Sequence, residues 1–352
     1  MAHASPAFVS DQHSAPTSAI VVDAMGGDHA PGPIVDGAVA AARHVPRGVR
    51  LVGRHDEVAR ELARHADAGM LPLSIVDAPD VVAMAESPAV ALRRKPGASI
   101  RVAVQELAEK RGSGLVSAGS TGATVMAAYS GLGLLHGVDR PALATTIPTR
   151  QQPAVLLDAG ANAECRPGHL LQFAVMGAVY AQVALGVQDP RVGLLSIGEE
   201  ETKGNELTRE AHRLLKAAPV RFLGNVEARD VYSGVADVIV CDGFTGNVAL
   251  KISESLVEMV EALLGDELSG TFSASVGYLL SQRAFRRFRR RVDYSEYGGA
   301  PLLGVGGVVI VGHGRSSAKA IRNAILLADR VSRERLVERL EKGLAGITVT
   351  ES

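Results

Sequence analysis

The stretch GLVSAGSTGATVMAAY (114–129) passes from an apolar run, through Gly119 and Gly122 on either side of Ser120 and Thr121, into an uncharged series of small and apolar residues. It reads as a strand, a tight turn and a helix, one arm of a βαβ unit. Outward from it the same order recurs. Strands are expected at 19–23, 49–53, 71–78, 114–118, 154–159, 191–197, 220–225, 237–242 and 307–313, and helices at Asn205–Ala218 and Ser316–Leu344 among others. Continuous apolar runs bounded by Gly, Asp and Asn fit strands covered on both faces. The expected fold class is therefore α/β: a mostly parallel sheet in an α/β/α sandwich.

The 352 residues suffice for one large α/β unit or two lobes. With no repeat and no Pro/Ser-rich linker, residues 19–345 read as a single unit of interwoven lobes. Residues 1–18 lack both a basic and an apolar region and are expected to be a disordered tail rather than a signal peptide. The long uncharged stretches 112–138 and 167–188 carry glycines or His169, Gln172 and Gln182, so buried helices are expected there, not membrane spans. Cys165 and Cys241 are the only cysteines, which excludes a disulfide framework and a four-cysteine metal site and fits a reducing cytosol. Lys and Arg number 37 against 38 Asp and Glu, and Trp is absent, which argues against a nucleic-acid partner.

In open α/β sheets, ligands sit where strand ends lead into helix N-termini. Polar groups and glycines collect there at Asp23 with Met25-Gly26-Gly27-Asp28, at 117–123, 158–162, 196–206, 224–230 (with Asn225), 241–247 and 312–317 (with Arg315), all expected along one edge. In the loop Ser120-Thr121-Gly122 the free amides of a helix's first turn, its dipole and two hydroxyls make a phosphate cradle; the competing reading is that one hydroxyl merely caps the helix. Lys203 and Asn205 set a cation and an amide beside a helix start, suited to a phosphate oxygen or a polarised carbonyl; the alternative is a solvated lysine in an acidic loop. Asp242 with Asn247, and Asp158 with Asn162, surround glycines at other corners and read equally as turns.

Nucleotide fingerprints are missing: there is no G-x-x-x-x-G-K-[ST], and the glycines of 131–137 have the wrong spacing for a dinucleotide loop. A serine hydrolase or thioesterase remains an alternative, because Ser120 sits in an A-x-S-x-G turn and precedes Asp242 and His313 in the order Ser, Asp, His. Cys165 and His169 form a further thiol and base pair at helical spacing, a pattern more often met in packing.

Residues 276–292 differ from the rest. Val276, Leu280, Ala284, Phe288 and Val292 recur every four residues with Phe285 beside them, and arginines at 283, 286, 287, 289, 290 and 291 cover the remainder. This reads as a basic amphipathic helix for an anionic membrane surface or an acidic partner, the second arm of a protruding helical hairpin at 253–292. A membrane-associated binding module without catalysis is the corresponding alternative.

Eight blocks, VVDAMGGDHAP (21–31), LRRKPGAS (92–99), SAGSTGATV (117–125), LLDAGAN (156–162), SIGEEETKGNEL (196–207), FLGNVE (222–227), CDGFTGNVALK (241–251) and DYSEYGGAPLLG (293–304), resemble the phosphate acyltransferase PlsX family. More distantly, 120–125 and 242–251 look like loops of phosphate acetyltransferases, which implies the isocitrate/isopropylmalate-dehydrogenase-like fold. The resemblance implies transfer of an acyl group from acyl carrier protein to inorganic phosphate, with no nucleotide, cofactor or metal, for phosphatidic acid and phospholipid synthesis. It also implies a cytoplasmic homodimer in peripheral contact with membrane, where a glycerol-3-phosphate acyltransferase takes the product.

On this reading Lys203, Asn205, Asp242 and Asn247 are catalytic candidates, and Ser120, Thr121, Gly122 and Arg315 hold phosphate. Asp23, Gly26, Gly27, Asp28, Asn162 and Asn225 bind substrate, while Phe285, Arg286, Phe288 and Arg289 contact membrane or carrier protein. One departure is local. The Ser-Arg loop of phosphate acetyltransferases falls at 313–316, but the acid those enzymes place soon after has no counterpart in 317–321.

Overall fold

The computed structural model describes residues 19–269, 277–278, 280–285, 287–288 and 294–347. The expected tail at 1–18 lies outside them, as do Arg286 and Arg289.

Among the described residues eleven strands form one sheet: β1 (Ala19–Asp23), β2 (Val49–Gly53), β3 (Leu73–Asp77), β4 (Gly112–Ser117), β5 (Ala142–Ile147), β6 (Ala154–Leu157), β7 (Arg191–Leu195), β8 (Arg221–Val226), β9 (Val238–Val240), β10 (Ala300–Leu303) and β11 (Val309–Val311). Their order is β3-β2-β1-β4-β11-β10-β5-β6-β9-β7-β8. The helices are α1 (Gly32–Ala42), α2 (His55–Leu62), α3 (Pro88–Arg94), α4 (Ser99–Ala108), α5 (Thr121–Leu132), α6 (Pro167–Tyr180), α7 (Glu206–Lys216), α8 (Gly243–Ser269), α9 (Ala318–Arg333) and α10 (Leu336–Leu344).

Alternation along the strands sorts side chains to the two faces. Ile20 and Val22 join the core packed under α1, α6, α9 and α10, whereas Val21 and Leu115 join the core under α3, α4 and α5. This is the three-layer arrangement expected from the apolar runs. Pro167–Leu185 is the one described helical stretch long and apolar enough to cross a membrane, and most of it is buried inside this core.

Two strands escaped the sequence pattern, and they change the geometry. β10 pairs antiparallel with both β11 and β5, and β5 pairs antiparallel with β6. The parallel group β6, β9, β7 and β8 therefore runs opposite to the parallel group containing β1, β4 and β11. The expectation of one functional edge does not hold, because the strand ends of the two groups leave the sheet at opposite edges. A second difference lies at 316–344, read as one helix, which breaks into α9 and α10 at Arg335, whose φ is +57°.

α8 extends well past its contact with β6, and along that length Ile252, Leu256, Met259, Val260, Leu263 and Leu264 are exposed. Residues 280–285 are helical, and Leu280 is 82% exposed and Phe288 49%.

Candidate active site

The first cluster is built by three adjacent strands, β1, β4 and β11. Asp23, at the end of β1, is buried and accepts a hydrogen bond from Ser117 Oγ at 2.8 Å and one from the Met25 amide at 3.3 Å. The Ser117 hydroxyl oxygen in turn accepts the Gly119 amide at 3.2 Å. Gly26 lies so close that an added Cβ would come within 2.6 Å of Asp23 Oδ2 and 2.7 Å of the Gly119 nitrogen. The third loop joins through the Asp28 amide, which donates to the Gly314 carbonyl at 2.8 Å. Arg315 stands exposed beside it, its amide donating to His313 Nδ1 at 3.2 Å.

Ser120 is the N-cap of α5, yet its side chain makes no capping hydrogen bond. The reading of this residue as a mere cap therefore fails. The first-turn amides of α5 open outward with Thr121 and Gly122 exposed, the arrangement that binds anions at helix N-termini. Burial pushes the Asp23 carboxyl above the usual carboxylate range, against the hydrogen bonds it accepts. A carboxyl biased toward its neutral form beside an anion cradle reduces like-charge repulsion.

The second cluster lies on the opposite-running group. The Asp158 carboxylate accepts the amides of Leu143 (2.9 Å), Gly160 (3.1 Å), Ala161 (3.0 Å) and Asn162 (2.8 Å), and the Asn162 side-chain amide at 2.8 Å. Asn162 also donates to the Pro141 carbonyl at 2.7 Å, so its side chain ties the loop together. Burial raises the Asp158 carboxyl despite these donors. Asp242 accepts the Thr245 amide at 2.8 Å and its hydroxyl at 2.7 Å, which secures the start of α8. Asn247 is exposed one turn later.

The third cluster is the loop from β7 to α7. Asn205 Oδ1 accepts the Thr208 amide at 2.9 Å and so caps α7. Gly204 has φ +100°, and a Cβ there would collide with Thr208 Oγ1 and Ser196 Oγ, a conformation that calls for glycine. Lys203 is exposed, and its amide donates to the Glu200 carbonyl at 3.0 Å. Asn225 is buried and its side chain donates to that same carbonyl at 2.9 Å.

The structure thus gathers Asp23, Gly26, Gly27, Asp28, Ser120, Thr121, Gly122 and Arg315 into one cluster of loops. Lys203, Asn205 and Asn225 share a second setting with Asn162, Asp242 and Asn247, all at carboxyl ends of the reversed strands. Ser117, the last residue of β4, falls within the polar stretch read at 117–123 but was given no role of its own, because only strand pairing reveals Asp23 as its partner. The acid of the Ser120-Asp242-His313 order is engaged at the start of α8, on the other strand group, which removes the geometric basis for that triad. The thiol and base pair also fails. His169 Nδ1 accepts the Arg166 amide at 3.0 Å, and burial pushes the Cys165 thiol up to about 11.

Residues 18–339 match the family described as fatty acid synthesis protein. The chain is similar to the phosphate acyltransferase of Heliobacterium modesticaldum, at 51% identity over 328 residues covering 93% of this chain and 98% of that one. It is equally similar to the phosphate acyltransferase of Acidobacterium capsulatum, at 51% identity over 326 residues covering 93% and 97%. Among solved structures it resembles a phosphotransacetylase from Streptococcus pyogenes, with TM-score 0.59, 18% identity and coverage of 89% and 94%. EutD phosphotransacetylase from Staphylococcus aureus gives TM-score 0.55, 16% identity and coverage of 91% and 95%. At these identities the structural likeness speaks to the fold alone.

Proposed function

The chain belongs to the fatty acid synthesis protein family of phosphate acyltransferases, and from that premise we propose that it makes acyl phosphate from acyl carrier protein thioester and inorganic phosphate. The observation that carries the reading is the uncapped, glycine-flanked first turn of α5. A phosphate oxygen attacks the thioester carbonyl, the carbon–sulfur bond breaks, and the carrier leaves as a thiolate. With a thiol pKa near ~8.5, this leaving group needs little acid assistance. No covalent enzyme intermediate is required, so catalysis rests on holding the anion and stabilising charge on the reacting groups.

In this scheme Ser120, Thr121, Gly122 and Arg315 hold phosphate, Lys203 stabilises developing charge, and Asn205 fixes the loop that presents it. Lys203 and the α5 cradle stand on strand groups that run in opposite directions, so the role of Lys203 rests on the chemistry of its own loop and is tested separately from the cradle. The product has a fatty chain and an anionic head, and it serves phosphatidic acid and phospholipid synthesis. Release beside a bilayer suits such a molecule. The exposed apolar residues of α8, with Leu280 and Phe288, support peripheral contact with membrane; the reading takes the enzyme further as a cytoplasmic homodimer that hands its product to a glycerol-3-phosphate acyltransferase.

The test is incubation of purified protein with palmitoyl acyl carrier protein, with and without phosphate. Phosphate-dependent release of free carrier and formation of acyl phosphate is expected; release at the same rate without phosphate makes the protein a thioesterase.

A further inference from the structure

We propose that His212 is a positioning residue that sets Lys203 through Asn225 and the Glu200 carbonyl; the proposal rests on the reading of Lys203 as a catalytic group. The carbonyl of Glu200 is a junction. It accepts the side-chain amide of Asn225 at 2.9 Å and the backbone amide of Lys203 at 3.0 Å. A carbonyl only accepts, so the Asn225 nitrogen faces Glu200 and its oxygen faces away. That oxygen lies 2.8 Å from His212 Nδ1, which therefore carries the proton and donates it. The order is His212 to Asn225 to Glu200, with Lys203 hung on the same carbonyl.

The histidine is held as well as holding. It is buried on α7, and its ring meets Phe222 of β8 edge-on, with centroids 5.1 Å apart and planes at 76°. Nε2 is buried without a hydrogen bond, 3.7 Å from Glu201 Oε1. An apolar ring would fill this site with less desolvation. A buried histidine using one nitrogen to orient a loop amide fits positioning better than packing. β8 is already paired to β7 at this level, with Asn225 opposite Leu194, so the frame on which the relay stands is fixed by the sheet.

Steady-state kinetics with palmitoyl acyl carrier protein and inorganic phosphate test the assignment. His212→Phe keeps the ring and removes the donor, and is expected to lower kcat by about 10-fold or more with phosphate KM changed less than about twofold. His212→Asn, which offers an amide donor near the position of Nδ1, is expected to recover most of that loss. In a Lys203→Met background, His212→Phe is expected to add less than about twofold, because residues acting as one unit are not additive.

Wild-type kcat in His212→Phe, or losses that multiply with those of Lys203→Met, overturns the proposal alone. Wild-type kcat in Lys203→Met instead overturns the catalytic reading beneath it. Should His212→Phe fail to fold, Asn225→Asp carries the same cycle. It still accepts from His212 but has no proton for Glu200, and the same loss is expected; wild-type kcat there overturns the relay.

Discussion

The Ser117 hydroxyl donates to the Asp23 carboxylate at 2.8 Å across 94 residues of chain, and this bond joins the carboxyl end of β1 to the loop that opens α5. Asp23 is wholly buried and its folded-state pKa is raised, chiefly by desolvation. For a raised carboxyl the folded state binds the proton more tightly than the unfolded chain. Its contribution to stability is therefore complete below the unfolded value near ~4 and is lost as pH rises through the folded value. Asn mimics the neutral acid, so Asp23→Asn should gain stability relative to wild type as pH rises across that window. Urea unfolding at several pH values checks this, and a difference that is flat or falls with pH contradicts it.

Ser120 offers one hydroxyl to a site made mainly of amides. Ser120→Ala should weaken apparent phosphate binding by roughly 1–3 kcal/mol, the worth of one hydrogen bond to a charged group, and leave measurable turnover. Phosphate titration of initial rates reads the effect. Complete loss of activity, with labelling of Ser120 by a serine-directed inhibitor, would restore the hydrolase reading.

Lys203 is exposed at the head of α7. Lys203→Met should cut kcat by about 10²-fold, within the range seen when one preorganised donor is removed from a charge-developing site. Rates equal to wild type return it to the role of a solvated lysine.

Burial holds the Cys165 thiol near 11. With a free thiol near ~8.5, the native protein should react with iodoacetamide at pH 8 about 10²-fold more slowly than after denaturation. Fast labelling of Cys165 in the folded protein would show that the thiol is not desolvated.

The membrane contact is tested at Phe285 and Phe288. Changing both to Glu should abolish sedimentation with anionic liposomes while soluble acyl carrier protein activity persists, since each arginine near such a surface contributes only about 1 kcal/mol. If binding persists, the aromatic stripe is not the contact; if the protein unfolds, the stripe belongs to the core.

Much of the architecture was legible because fully covered strands are apolar throughout, as AIVVD (19–23) and VIV (238–240) are. β5 and β10 were not. ALATTI (142–147) mixes threonines into its apolar positions, and APLL (300–303) is four residues long and opens the way to a glycine, so neither stands out from a loop. Their antiparallel pairing decides which strand ends share an edge, and pairing across the chain leaves no local mark. The site shows the same division. Glycines at 26, 119 and 122 announced the cradle, because backbone approach demands a specific residue type. Asp158 and Asn162 looked alike as ligand or turn, and only their five-donor and two-acceptor geometry identifies them as the ties of their loop.

β11 enters the sheet between β4 and β10, although it is the last of the described strands to be synthesised. Until residues 309–311 leave the ribosome, β4 has an open inner edge and β10 has no partner on that side. The apolar centre of the sheet is thus a seam closed by contacts of long sequence separation, a slow topology that exposes strand edges during assembly. A nascent or truncated chain lacking its final segment carries an aggregation-prone edge in its middle, so the intact C-terminal part governs solubility during folding as much as it shapes the loop at Arg315.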